Sequence, residues 1–239
     1  MNKKSIKNFA IESRKKLIDE TKYQMGSLGI TAEGIQDPIK KAEGMEIYDI
    51  GGFTSHTIHD EEIEQRKSLV KRVKEKGYDN VVEEVAYTWF NRLIAIRFME
   101  VNDYLPTQIR VLSSENKKRT EPDIVFEAPN VDLDLIDEEI EMIYQLKNDN
   151  KLDELFRFLF VKQCNRINEI LPELFEKTAD YTELLLSISF TNEDGVVRKL
   201  IDIGEDIFKE QVEVIGWLYQ FYNTELKDET FALLKKRVK

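Results

Sequence analysis

Residues 83–104 read EEVAYTWFNRLIAIRFMEVNDY, and this stretch decides the fold. Its apolar side chains recur every three to four positions, which is the period of an α-helix. Together with one residue just before the stretch, they are Val82, Val85, Ala86, Trp89, Phe90, Leu93, Ile94, Ile96 and Phe98. A stripe this wide indicates a helix that is buried on most of its sides. The stretch therefore predicts the central helix of a helical domain.

Two arginines, Arg92 and Arg97, lie inside this predicted helix. A charged side chain in such a position either extends its head group to water or pairs with an acid. Glu100 follows Arg97 by three positions, so the two side chains share one face of the helix. We expect one of these two arrangements for each arginine, with a phosphate contact as the alternative.

Further helices are predicted on both sides of this stretch, with glycine and proline marking the breaks. The expected segments are residues 3–25, 61–76, 137–146, 152–171, 205–222 and 228–236, with shorter segments at 182–190 and 196–203. Strand patterns are nearly absent, and DIVFE at residues 123–127 is the one short-strand candidate. We predict an all-α fold, a compact multi-helix domain of about eight helices with irregular loops and at most a minor strand element.

Two stretches interrupt the helical pattern. Residues 35–60 are predicted to be irregular, with a tight bend at Gly51-Gly52. Residues 113–135 form the second irregular insert, because the first part of this segment is polar and reads as an exposed loop. A chain of 239 residues is long enough to bury a substantial core. We therefore assign residues 1–239 to one helical domain with two irregular inserts.

Composition disfavours both membrane insertion and disulfide crosslinking. No run of about 18 apolar residues is present, so no transmembrane helix and no membrane partner is predicted. Cys164 is the single cysteine, which excludes an internal disulfide and suits a reducing, cytoplasmic location. It stands between apolar helical positions, so we expect a buried and unreactive thiol.

Charge is distributed unevenly along the chain. The net charge of −11 argues against nucleic acid binding over the whole surface. Residues 121–154 contain twelve acids against Lys147 and Lys151, a net charge of −10, so the rest of the chain is close to neutral. A basic surface elsewhere is therefore compatible with the acidic total.

Two kinds of interaction surface follow from this distribution. The first is basic and would contact phosphates without reading sequence. Its candidates are Lys117, Lys118, Arg119, Lys235, Lys236 and Arg237. The second is acidic and would dock a basic partner, with a plain solvated face as the alternative interpretation. Its candidates are Asp132, Asp134, Asp137, Glu138, Glu139 and Glu141.

The sequence contains no recognisable catalytic or cofactor motif. Its ten glycines never form G-x-G, no P-loop pattern occurs, and no Pro-Pro pair exists for the Asn/Asp-Pro-Pro-aromatic tetrapeptide of base-modifying methyltransferases. His56 and His59 stand near acids, but this spacing is weakly diagnostic of a metal site, and we interpret both as exposed loop residues. We assign no catalytic, cofactor-binding or metal-binding residue.

Four stretches together resemble one family. They are KKSIKNFAIESRKKLIDETKYQMGSLGIT at the start, EEVAYTWFNRLIAIRFMEVNDYL, LFRFLFVKQCNRINEILPELFEK, and EVIGWLYQFYNTELKDETFALLKK near the end. Their order and spacing resemble the N-terminal region of the PglX family, the adenine-specific DNA methyltransferases of BREX phage-defence systems. The phrases AYTWFNRLIAIRFME and IGWLYQFYN carry most of the specificity. Related restriction-modification enzymes share similar phrases.

The resemblance implies a much longer complete protein. Its later part would bind S-adenosylmethionine and transfer a methyl group to N6 of adenine. The chain studied would be the N-terminal domain, with no cofactor of its own, and it stops at LLKKRVK before any cofactor loop. The implied partners are the methyltransferase core of the same polypeptide, DNA and other defence-system proteins.

We therefore expect a non-catalytic scaffold that packs on the methyltransferase core and helps to hold DNA or a partner protein. The alternative, from a different functional class, is a stand-alone interaction protein that docks a basic partner through the acidic segment 121–154. A small metal-dependent hydrolase at His56 and His59 is a third hypothesis. Salt-sensitive DNA binding, partner capture and metal content separate the three.

Overall fold

The computed structural model describes residues 3–51, 54–170, 172, 175 and 180–224. They form helices α1 (Lys3–Ser27), α2 (Asp60–Lys76), α3 (Tyr78–Val101), α4 (Asp123–Glu127), α5 (Asp137–Asn148), α6 (Leu152–Ile170), α7 (Asp180–Leu184), α8 (Val196–Asp202), α9 (Glu205–Phe208) and α10 (residues 213–224). Strands β1 (Lys40–Ala42), β2 (Met45–Gly51) and β3 (Thr54–His59) form one antiparallel sheet. The predicted class, mostly helical with a minor strand element, is confirmed.

Helix α3 is the centre of the fold, as its wide apolar stripe predicted, and fourteen of its 24 residues are buried. Consecutive residues on a helix point about 100° apart, so neighbours in sequence reach different elements. The Trp89 ring lies 6.2 Å from the Phe160 ring on α6. The Phe90 ring lies 6.3 Å from Phe9 on α1 and 4.6 Å from Tyr222 on α10. Helix α3 thus separates α1 and α10 from α6.

Polar contacts attach three elements, α1, α2 and α7, to the start of α3. Glu83 pairs with Arg14 of α1. Glu84 accepts bonds from Arg72 at 2.7 Å and Lys76 at 2.8 Å, both on α2, and from the Tyr181 hydroxyl on α7 at 3.3 Å. These carboxylates lie at the rim of the core, where the ion pairs keep access to water and cost less to desolvate than in the interior.

The segment near residues 35–60 is not irregular, and that prediction was wrong, because residues 40–51 and 54–59 build the three-stranded sheet. Gly52 of the predicted Gly51-Gly52 bend lies outside the described residues. Tyr48 and Ile58 lie on the same face of the sheet, and both are fully buried. Arg66 of α2 stacks 4.1 Å from the Tyr48 ring and donates to the Leu28 carbonyl at 2.8 Å. Only these two strand residues enter the core, so the alternating apolar pattern that marks a strand is almost absent from the sequence.

The hairpin between β1 and β2 turns at Gly44, which has a φ of 67°. Glycine adopts this left-handed conformation without strain. A Cβ at this position would also come within 2.5 Å of an Asp60 carboxylate oxygen. The turn therefore depends on glycine for both backbone freedom and space.

The DIVFE segment is also different from its prediction: residues 123–127 form the short helix α4 rather than a strand. Pro122 precedes the helix, and its carbonyl accepts the Phe126 N–H at 3.0 Å. Ile124 and Val125 are adjacent in sequence yet both are buried, which a strand with alternating faces would not allow at a surface. The second expected insert, residues 113–135, is otherwise made of turns and bends.

The long helix predicted over residues 205–222 is broken into α9 and α10. Glu210 lies in the gap with a φ of 56°, and its N–H donates to the Asn102 side chain at 2.8 Å. Asn102 also donates to the Phe208 carbonyl at 3.0 Å. A side chain from the end of α3 thus replaces the helical hydrogen bonds at this point. The predicted helix at 228–236 lies outside the described residues.

Cys164 is buried, as predicted. Burial raises the pKa of its thiol to about 12, and the nearby Arg92 guanidinium opposes this effect only in part. A thiol with so high a pKa is not a nucleophile at neutral pH. Within the described residues, no helix combines the length and the apolar content that crossing a bilayer requires.

Candidate interaction surfaces

The basic loop, Lys117, Lys118 and Arg119, offers fewer free cations to a ligand than its sequence suggests. Arg119 is only partly exposed: its guanidinium lies 3.3 Å from Asp123 and 3.5 Å from the centre of the Phe126 ring. These contacts hold the loop against α4. Lys117 and Lys118 are exposed. The loop therefore presents two lysines at its surface, while its arginine has a structural role.

The basic tail residues Lys235, Lys236 and Arg237 lie outside the described residues. Their part in phosphate binding stays a prediction.

Two of the six acidic candidates are engaged within the fold. Glu139 pairs with Lys162 of α6 at 2.5 Å and also accepts the Ile136 N–H at 3.2 Å, at the start of α5. Asp134 pairs with Arg166 of α6 at 3.0 Å. Both contacts fix α5 and the loop before it against α6. These two carboxylates stabilise the fold, and a partner could bind them only by displacing Lys162 or Arg166.

The remaining acids form an exposed surface on and before α5. Its members are Asp132, Asp137, Glu138 and Glu141. Two large apolar side chains stand beside them, Ile136 at 58% exposure and Tyr144 at 54%. We call these six residues the α5 surface. A surface that combines carboxylates with exposed apolar side chains is complementary to a basic, amphipathic partner.

The two histidines are not loop residues, and that interpretation was wrong, because both lie in strand β3 and His56 is only partly exposed. His59 precedes α2, and its N–H donates to the Glu62 carboxylate at 2.9 Å, which satisfies a donor at the helix start. His56 lies in β3 directly opposite Tyr48. In the part of the chain that the structure describes, no three His, Cys, Asp or Glu side chains are grouped to hold a metal ion.

A buried ionic cluster forms at the end of α3. Its centre is the pair of Arg97 with Glu100, one of the alternatives that the sequence left open for Arg97. The guanidinium donates to Glu100 Oε1 at 2.6 Å and to the Ser113 hydroxyl at 3.1 Å. Glu100 Oε2 accepts the N–H groups of Val111 and Leu112 at 2.9 and 2.8 Å. The cluster therefore ties the loop after α3 to the central helix.

A cavity of about 340 Å³ lies beside this cluster. Its mouth carries Asp103, Gln108 and Glu115, which are exposed, and Leu105 and Ile109 line it further in. The Glu100 carboxylate contributes to the wall, but its oxygens are already bonded as described above. Arg110 is the one base in the lining, and its guanidinium is paired with Glu205. Because this cation is already paired and the exposed charges at the mouth are acidic, the cavity is poorly suited to a phosphate.

The described residues define a class of structure: a helical region built around one central helix, with charged surfaces. No family model matches the chain. It aligns with the adenine-specific methyltransferase PglX of Lacticaseibacillus casei (strain Zhang), with 44% identity over 255 residues, covering 98% of the chain and 21% of the relative. It also aligns with the adenine-specific methyltransferase BrxX of Escherichia coli O9:H4 (strain HS), with 37% identity over 240 residues, covering 100% of the chain and 20% of the relative.

The chain is thus homologous to the N-terminal portion of the PglX and BrxX adenine-specific methyltransferases, and the family resemblance in the sequence is confirmed. It spans about one fifth of the length of these curated relatives.

Proposed function

We propose that this chain is a non-catalytic helical region of an adenine-specific (N6) DNA methyltransferase that acts in phage defence. It would supply a scaffold for the catalytic part of the enzyme and a surface that holds DNA or a partner protein. The observation that carries the proposal is the end-to-end alignment with one fifth of two adenine-specific methyltransferases. S-adenosylmethionine and the adenine base would then be bound by the rest of such an enzyme.

The architecture supports a scaffold role. The largest side chains of α3 are directed into the core, towards α1, α6 and α10. The conspicuous charged clusters at Glu84, Glu100 and Glu139 connect elements of the fold to one another. A region built in this way holds a defined shape and presents its outer faces to other molecules.

The isolated 239-residue chain should not bind S-adenosylmethionine. Isothermal titration of the methyl donor into the chain should give no heat of binding up to millimolar concentration. The positive control is the complete PglX relative from L. casei under the same conditions. Micromolar binding by the isolated chain, or methyl transfer to DNA by it, would contradict the proposal.

The α5 surface favours a second candidate function, which is docking of a basic protein segment. Its exposed carboxylates Asp137, Glu138 and Glu141 lie beside Ile136 and Tyr144, so charge and apolar area occur together. In the scaffold proposal, the natural candidate for this partner is the remaining part of a PglX-type polypeptide.

Charge reversal on this surface tests the docking role. The triple variant D137K/E138K/E141K should lose at least tenfold in affinity for the separately expressed remainder of the L. casei PglX relative. The triple variant K67E/K71E/K74E on α2 is the control with an equal number of reversed charges. Binding is measured by surface plasmon resonance. Equal affinities for the two variants and the unmodified chain would exclude the α5 surface as the docking site.

A further inference from the structure

Helix α1 carries a basic face that stands apart from the rest of this acidic chain. It contains seven basic and three acidic residues. Its apolar side is buried against α3 and α8, with Ile6, Phe9 and Leu17 inside the core. Lys4, Lys7, Lys15 and Lys22 are exposed on the opposite side. We call these four residues the α1 stripe.

The α1 stripe is straight and long. At 100° per residue, its four lysines fall within about 60° of one line along the helix. Its ends are 18 positions apart, which corresponds to about 27 Å at 1.5 Å per residue. Lys7, Lys15 and Lys22 have no ion-pair partner within the described part of the chain.

The three acids of α1 weaken this basic face only slightly. Glu12 is paired with Lys199 of α8 at 2.9 Å. Burial raises the pKa of Glu20 to about 7, against the opposing effect of Lys16, so part of its population is neutral at physiological pH. Asp19 is the exposed carboxylate that remains beside the stripe. The helix therefore presents a local excess of positive charge.

The α5 surface does not cancel this charge. Helix α1 packs on α3, α3 packs on α6 through Trp89 and Phe160, and α5 packs on α6. Two helices thus intervene in the series of contacts, and packed helix axes are about 8–10 Å apart. The Debye length at physiological salt is only about 8 Å, so the repulsion of the α5 acids is screened at the stripe.

We propose that the α1 stripe contacts the phosphate backbone of double-stranded DNA. The inference rests on the proposed function for the presence of DNA, and on the stripe itself for the place of contact. A straight row of about 27 Å matches about eight base pairs of B-DNA, which carries one charge per roughly 1.7 Å of axis. Lysines bind phosphates as mobile point charges, so this contact would confer affinity and not sequence preference.

A lipid surface fits the stripe less well. A helix that lies on a membrane inserts its apolar face between the lipids. The apolar face of α1 is instead occupied by α3, with the rings of Phe9 and Phe90 in contact at 6.3 Å. The outward face offers little apolar area that could enter a bilayer, because Ile11 and Ile18 between the lysines are partly buried and Tyr23, at 69% exposure, is the one large apolar group beside them.

The salt dependence of DNA binding tests the proposal. Binding of the 239-residue chain to a fluorescent 20-base-pair duplex is measured by anisotropy between 50 and 200 mM NaCl. The variant K7Q/K15Q/K22Q should reduce the slope of log K against log salt by about 2 to 3, because each lost phosphate contact removes about 0.9 from it. The matched control K67Q/K71Q/K74Q removes the same charge from the exposed face of α2 and should leave the slope unchanged.

Equal slopes for the two variants would overturn the proposal, as would an unmodified chain whose DNA binding does not depend on salt. Binding to phosphatidylserine vesicles that is lost in the α1 variant, without a change in DNA binding, would assign the stripe to membranes instead. Circular dichroism checks that both variants stay folded. Titration with S-adenosylmethionine tests the non-catalytic role separately, so each conclusion can fail alone.

Discussion

Replacing Glu100 by alanine should lower the free energy of unfolding by about 3–5 kcal/mol. Glu100 is 2% exposed and accepts bonds from Arg97, from the Ser113 hydroxyl and from two backbone N–H groups. Its loss leaves a buried guanidinium whose nearest other carboxylate, that of Glu205, is 3.9 Å away. The N–H groups of the loop after α3 also lose their acceptor, and each unsatisfied buried donor costs about 1–3 kcal/mol.

Urea unfolding followed by far-ultraviolet circular dichroism measures this effect. The control is Glu141→Ala, which removes an exposed carboxylate of α5 and should change stability by about 0.5 kcal/mol or less. The double variant R97M/E100M should recover only the part of the loss that comes from the unpaired buried charge, because the N–H groups of Val111 and Leu112 still lack their acceptor. A loss below about 1 kcal/mol for Glu100→Ala would mean that the cluster is hydrated or rearranged, contrary to the structure.

Replacing Trp89 by alanine should lower the free energy of unfolding by about 3–5 kcal/mol. The indole is 2% exposed and fills the space between α3 and α6 against the Phe160 ring. Its N–H donates to the Thr182 carbonyl at 3.2 Å. Truncation removes the largest side chain of the central helix, leaves a cavity that rigid helices cannot close, and frees a buried carbonyl.

The other tryptophan provides a matched control. Trp217 on α10 is only partly buried, and the Lys3 ammonium lies 4.5 Å from the centre of its ring. Trp217→Ala should therefore lower the free energy of unfolding by only about 1 kcal/mol, because water can fill the space that the ring leaves. Both variants are compared by urea unfolding with circular dichroism, since fluorescence would change with either substitution. Equal losses for the two would contradict the central position of α3.

The long helices were predictable because their signal is local. The apolar residues of α3 and α6 repeat with the helical period. The predicted ends of α6 agree with the structure to within one residue, whereas the stretch predicted for α3, residues 83–104, begins five residues after the helix does and ends three residues after it. The pair of Arg97 with Glu100 was predictable for the same reason, since a separation of three positions places both side chains on one face. Homology to methyltransferases was likewise visible in contiguous phrases of sequence.

The interaction surfaces were less predictable. The sequence indicated Arg119 as a free cation, but its engagement with Asp123 and Phe126 depends on α4, which was expected to be a strand. The α1 stripe gives no run of basic residues in the sequence, because its lysines are spread over 18 positions. Their helical spacing is the one sequence signal that places them on the same face.

What the sequence by itself determined is the set of long helices and the buried character of α3, because helix period and apolar content act between residues only a few positions apart. The tertiary structure alone decided the rest. The sheet depends on burying Tyr48 and Ile58 against helices, and the break between α9 and α10 depends on Asn102, a residue more than one hundred positions earlier in the chain. Contacts between residues so distant in sequence form only when the whole chain packs, so no local pattern records them.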